Sequence, residues 1–246
     1  MKITNLGTSG YASFYVACEL YKQMSQQNHS KLGLATGGTM VDVYRFLVQL
    51  LRKNKLDVSE IETFNLDEYV GLDAQHEQSY HSYMNEMLFK QYPYFNPSLL
   101  HIPNGNADNL NDETKRYEQL INQKGPVDIQ ILGIGENGHI GFNEPGTDIN
   151  SATHIVDLTE STISANSRYF DNEVDVPKQA VSMGLSTILK AHRIILLAFG
   201  EKKRAAIEKL AENEVNSDVP ATILHAHPNV EIYVCLLYTS PSPRDK

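Results

Sequence analysis

Apolar residues along this chain recur in two rhythms, and each predicts a kind of element. Phe14, Ala17, Cys18, Tyr21 and Met24 are spaced by three and four residues, which places them on one face of a helix. Val41, Tyr44, Leu47, Val48 and Leu51 mark a second helix in the same way. Short apolar runs over residues 32–35, 61–66, 127–132, 193–199 and 230–234 have the length expected of strands. Further helical stretches are expected from about Tyr80 and over residues 202–210. Alternating strands and helices require crossover connections, so the expected architecture is a three-layer α/β fold, a mainly parallel sheet with helices on both faces.

The chain has 246 residues, enough for one domain with a substantial core, and that domain is expected to span residues 1–234. Residues 235–246 change style abruptly to a Pro/Ser-rich run and read as a non-native or disordered tail. The polar stretch 159–177 lacks a sustained period and reads either as a movable lid or as an ordinary surface excursion with a short helix.

Composition narrows the possible functions. With 41% hydrophobic and 21% charged residues the chain has neither the composition of a disordered protein nor a membrane-length apolar run. The 21 Lys plus Arg against 30 Asp plus Glu leave a net charge of -9, which repels nucleic acid and anionic membranes at long range. The expected partner is therefore a small molecule, and any anionic part of it must be held by local groups. Cys18 and Cys235 make no metal or disulfide framework, and the first residues show no basic segment followed by an apolar one, so a cytoplasmic location is expected, as a monomer or homo-oligomer.

Four segments carry candidate chemistry. Thr36-Gly37-Gly38-Thr39 lies where a strand ends and a helix begins, a place where free backbone amides and the helix dipole favour a phosphate. No Lys follows it as in a nucleotide-binding P-loop, and a tight turn capped by Thr is the competing reading. Gly133-Ile134-Gly135-Glu136-Asn137-Gly138 matches the dinucleotide pattern G-x-G-x-x-G, with Asp157 at a plausible distance for a ribose contact. However, Gly141, Pro145 and Gly146 block the helix that such a loop must open, so a nicotinamide cofactor is not expected. The same loop brings Asn137, His139 and Glu144 to the end of a strand, where an imidazole oriented by a carboxylate can move protons near neutral pH.

Asp67 and Glu68 follow another probable strand, and alternation turns them in different directions. One can face a site as a base while the other is structural, and their apolar neighbours Phe64, Leu66 and Tyr69 suit a carboxyl of raised pKa. Two cations, Arg168 in the lid stretch and Lys203 after the strand that Gly200 closes, are candidates for holding phosphate, although composition alone does not separate Lys203 from Lys202 and Arg204. His76, His81, His225 and His227 form no ligand pattern, so no metal is expected.

Taken in order, residues 35–39, 64–72, 133–145 and 165–168 resemble the corresponding blocks of the glucosamine-6-phosphate deaminases, in the glucosamine/galactosamine-6-phosphate isomerase family. The resemblance covers nearly everything but the tail and implies a Rossmann-like fold. It also implies aldose–ketose isomerisation coupled to loss of ammonia, a hydrolase acting on an amino-sugar phosphate without a redox cofactor. Carried over by position, it makes His139 the ring-opening base, supported by Asn137 and Glu144, and Asp67 the base that moves a proton from C2 to C1. It places Thr36, Gly37, Gly38, Thr39, Glu68, Arg168 and Lys203 in contact with substrate. Some members carry Asp where this chain has Asn137; Asn does not ionise, so an orienting hydrogen bond is the expected role here. Two alternatives stand beside this reading, a 6-phosphogluconolactonase-like hydrolase and a sugar-phosphate sensor without turnover.

Overall fold

The computed structural model describes residues 1–167, 170–172 and 175–235. Arg168 and residues 236–246 of the expected tail therefore lie outside the described residues. In chain order the elements are β1 (Lys2–Asn5), α1 (Ser9–Gln26), β2 (Lys31–Leu34), α2 (Val41–Asn54), β3 (Glu62–Asn65), β4 (Asp67–Tyr69) and α3 (Tyr80–Met84). They continue as β5 (Leu100–His101), α4 (Leu110–Lys124), β6 (Ile129–Gly133), β7 (His154–Asp157) and α5 (Glu160–Ser167). The last are β8 (Gln179–Ser182), α6 (Leu185–Ile188), β9 (Arg193–Phe199), α7 (Arg204–Ala211) and β10 (Val230–Cys235).

Seven strands form one parallel sheet in the order β1-β10-β9-β6-β2-β3-β5. The chain moves one way along this sheet through α1 and α2 and the opposite way through α4 and α7. Right-handed crossovers then place the first pair on one face and the second pair on the other. The expected three-layer, mainly parallel α/β fold is thus present. A second sheet, β4-β8-β7, is antiparallel, with Asp67 opposite Ser182.

The helices form where the apolar spacing places them, with one rotation of the buried face. Thr8 caps α1 by accepting from the Tyr11 amide, and the buried stripe is Ala12, Ser13, Val16, Ala17, Leu20 and Met24. Phe14 is not part of it: the ring is 42% exposed and packs edge-on against Phe46 from α2. The core stripe of α2, Val43, Tyr44, Leu47, Val48 and Leu51, lies close to the expected one. Strand β10 runs on to Cys235, the first residue of the stretch read as tail.

One half-buried ionic knot ties the two sheets together. Glu118 on α4 accepts from Thr153 N and Oγ1 beside β7, from Thr187 Oγ1 on α6, and from Lys190 Nζ. Burial pushes its carboxyl up, but the bonds from Lys190, Thr187 and Thr153 outweigh burial and bring it down to about 2. A depressed carboxyl stabilises the fold above the unfolded-state value and loses that contribution as pH falls towards 2. Glu118→Gln is expected to lower stability by about 1–2 kcal/mol at pH 7, allowing for partial solvent screening, with the difference shrinking below about pH 4. Urea unfolding of both proteins across that range checks it; a difference that persists unchanged at pH 2.5 would refute the ionic origin.

Candidate active site

Because the strands of the large sheet are parallel, the C-terminal ends of β2, β3 and β6 open on one edge, where sheets of this kind place their ligands. Two fully buried tyrosines anchor that edge. Tyr44 from α2 donates to the carbonyl of Ala35 just past β2, and Tyr117 from α4 donates to the carbonyl of Asn65 at the end of β3. Above them lies a cavity of about 190 Å³ lined by Thr36, Thr39, Leu66, Asp67, Tyr80, Gly133, Gly135, His139, Gly141 and Phe142, among others. A larger cavity of about 860 Å³ lies between residues 70–72 and 175–179, and none of the candidate catalytic groups lines it. The chemistry therefore assigns the site to the smaller one.

The turn after β2 has the form expected of an anion cradle. Gly37 adopts φ 96°, a backbone conformation that favours glycine, and leads through a 3₁₀ turn, Gly38–Met40, directly into α2. The Gly37 carbonyl accepts from the Tyr83 hydroxyl and from the Met40 amide, which fixes the turn at the start of the helix. The turn after β9 repeats the design: Gly200 at φ 88°, a 3₁₀ turn Glu201–Lys203, then α7. That geometry separates the three cations. Lys202 reaches Glu136 and Arg204 is held by Glu201, whereas Lys203 makes no ion pair with a described residue. Burial lowers the Lys203 ammonium, which an arriving phosphate would offset.

Asp67 opens β4 where the chain leaves the large sheet for the small one, so the two neighbouring carboxylates do point apart. Asp67 lines the cavity at 6% exposure. Burial and then neighbouring Glu68 push its carboxyl up to about 8. Glu68 does not reach the cavity, against the expectation that it contacts substrate. Its Oε1 accepts from the amides of Tyr69 and Tyr80, and its Oε2 from the amide and Nδ1 of His81. The carboxylate is spent on tying β4 to α3, a structural role that positions both Asp67 and Tyr80.

The loop after β6 makes no helix at its third glycine, as the blocking residues require, and instead folds back on itself around His139. Its Nδ1 lies 2.8 Å from Asn137 Oδ1 and 3.5 Å from Glu144 Oε1. Asn137 Nδ2 donates to Glu144 Oε2 at 2.6 Å, which fixes which way the amide faces, because a carboxylate only accepts. Both atoms beside Nδ1 are therefore acceptors; Nδ1 carries the proton, and Nε2 is left with its lone pair. The hydrogen bond from His139 holds the Glu144 carboxyl below its usual range, against burial and with help from Asn137. The ring lies flat over Gly135: a Cβ there would sit 2.2 Å from ring atoms, so any larger residue would displace the imidazole.

The structure brings Asp67, His139, Thr36 and Thr39 to one cavity, with Asn137 and Glu144 behind His139 and the Gly37-Gly38 turn and Lys203 at neighbouring strand ends. Arg168 lies outside the described residues. Of the histidines considered for a metal, His81 binds Glu68, while His225 and His227 donate to the carbonyls of Leu210 and Ala191. Tyr80 was not singled out from the sequence as a site residue, and Phe142 entered only as part of the 133–145 block. Tyr80 reaches the cavity from α3, stacks on Phe142, and donates to the Tyr69 hydroxyl. Nothing local marks it, since its place depends on Glu68 docking α3 onto β4.

This combination of a parallel sheet, a glycine-initiated turn at a helix start, a histidine oriented through its Nδ1 and a buried carboxyl belongs to a defined class. The chain is a member of the family of glucosamine-6-phosphate isomerases and 6-phosphogluconolactonases, whose model matches residues 11–233. It is 70% identical to a glucosamine-6-phosphate deaminase of Staphylococcus epidermidis over 234 residues, 95% of this chain and 96% of the relative. Among solved structures, a monomeric glucosamine-6-phosphate deaminase superposes with a TM-score of 0.91 at 46% identity, covering 95% of this chain and 97% of the other. The 6-phosphogluconolactonase of Thermotoga maritima shares the fold at a TM-score of 0.74 and 18% identity, covering 94% and 97%.

Proposed function

We propose that this protein converts glucosamine 6-phosphate and water to fructose 6-phosphate and ammonia. The observation that carries the reading is the pairing, in one cavity, of two proton-moving groups of different character: an imidazole with a free Nε2 and a buried carboxyl. His139 suits the oxygen-to-oxygen step. Its Nε2 takes the proton of the C1 hydroxyl and returns one to the ring oxygen, opening the sugar, while Asn137 and Glu144 stabilise the imidazolium in between. Asp67 suits the carbon-to-carbon step. As carboxylate it removes the proton at C2 of the open aldehyde and delivers one to C1, while the carbonyl oxygen takes up a proton and the ammonium gives one up, leaving a protonated imine at C2. Water then hydrolyses that imine, releasing ammonia and the ketose.

The hydrogen moves between neighbouring carbons of the same molecule, so the chemistry calls for no redox cofactor. By its bond changes the reaction is an isomerisation, and by its consumption of water a hydrolytic deamination. The Gly37-Gly38 turn, Thr39, Lys203 and Arg168 are the groups proposed to hold the phosphate. A lactonase would use His139 to activate water and would need no enolising carboxyl, so the presence of Asp67 in the cavity favours the deaminase. A sensor without turnover would need neither. The cytoplasmic location belongs to the same proposal and rests on the substrate, since amino-sugar phosphates are intracellular metabolites. Purified protein incubated with glucosamine 6-phosphate is expected to release ammonia and fructose 6-phosphate in equal amounts; absence of ammonia would overturn the proposal.

A further inference from the structure

The surroundings of Asp67 supply an unusual lack. Among the described residues no Lys, Arg or His lies within ion-pair distance of its carboxyl, and none donates it a hydrogen bond. The groups packed around it are anionic or neutral. Glu68 follows it into the small sheet and is committed to four N–H groups. The phenols of Tyr80 from α3 and Tyr117 from α4 both feel its charge, and that charge opposes their ionisation. Ser182, opposite it on β8, gives its hydroxyl proton to the Met183 carbonyl and accepts from the Phe142 amide. His139, on the other wall, gives its Nδ1 proton to its own loop. A buried carboxylate in such a place is costly until a cation or donor arrives.

Resting on the function proposed above, we infer that the substrate's own C2 ammonium group is the missing counter-charge: Asp67 stands neutral in the empty site, gives its proton to solvent when the amino sugar binds, and is thereby the determinant that selects an amine over a hydroxyl at C2. The proton balance is simple. The enzyme loses one proton on binding, the carboxylate so formed pairs with the ammonium, and the same carboxylate then takes the C2 proton once the ring is open. A sugar phosphate with a hydroxyl at C2 brings no charge and leaves Asp67 protonated and inactive. The raised pKa of Asp67 agrees with this arrangement and follows from the same geometry.

The test uses two probes that cannot be enolised, 2-amino-2-deoxyglucitol 6-phosphate and glucitol 6-phosphate, titrated into the full-length protein at pH 7 by calorimetry in two buffers of different ionisation enthalpy. The amino probe is expected to bind roughly 10- to 100-fold more tightly, as for a hydrogen bond between charged groups, and to release close to one proton. The hydroxyl probe is expected to release none. In Asp67→Asn the preference should fall to within about threefold and the proton release should vanish. Equal affinities in the wild-type protein, no proton release, or release retained by Asp67→Asn would each overturn the inference. If the variant binds neither probe, the proton release of the wild-type protein decides alone. Ammonia formed from glucosamine 6-phosphate without proton release on the amino probe would sink this inference and leave the function standing, whereas no ammonia would sink the function itself.

Discussion

Asp67→Asn is expected to lower turnover of glucosamine 6-phosphate by ~10³–10⁴-fold, the upper part of the range for removing a general base. The amide matches the carboxyl in shape but cannot accept the C2 proton. Exchange of deuterium from C2 into solvent, followed by NMR, should stop altogether, because it depends on that one transfer. The wild-type pH profile carries the same signature. In the empty enzyme the carboxyl is pushed up to about 8 by burial and by Glu68, and the active form is the carboxylate. Hence kcat/KM, which reports the free enzyme, should rise with pH through about 8, whereas kcat, which reports the occupied site, should level off at lower pH. A kcat/KM profile that is already flat between pH 6 and 8 would remove Asp67 from this role.

Loss of the imidazole should act differently. His139→Gln is expected to cost ~10²–10³-fold with the natural cyclic substrate and much less with an analogue that cannot close the pyranose ring. The reason lies in the proposed mechanism, in which Nε2 serves proton traffic between oxygens that is complete before the carbon chemistry starts; Nδ1 is already engaged by Asn137. Comparing the two substrates in steady-state assays separates this role from general damage to the site. An equal loss with both would place His139 in a later step or in structure.

The large sheet and its helices were legible because each strand and helix carries its own period. Strand β9 begins and ends where the apolar run does, and the core stripe of α2 differs from the expected one by a single residue. The small sheet was not legible. Strands β4, β7 and β8 are three or four residues long and lie far apart in sequence, so no local pattern announces their pairing. The site divides along the same line. Asn137, His139 and Glu144 meet within one loop, and their closeness in sequence carries over into space. For Asp67 and Glu68 alternation established that the two diverge, but which one faces the cavity depends on the docking of α3, a tertiary event. Tyr80 was missed for that reason, and Phe14 was misplaced because an aromatic ring can pack on a surface neighbour as well as in the core.

The loop that holds His139 has a consequence for the economy of each turnover. An imidazole free in solution tumbles, flips and exchanges its proton between two nitrogens, and a catalyst using it would have to select the one useful arrangement every time a substrate arrived. Here Asn137 and Glu144 make that selection once, when the chain folds, and the cleared face of Gly135 gives the ring a flat bed to lie on. The loss of disorder is charged to folding and is not demanded again from the binding of a small sugar. Such a ligand has little surface with which to impose order, so its bound pose can be directed entirely at the bonds that change.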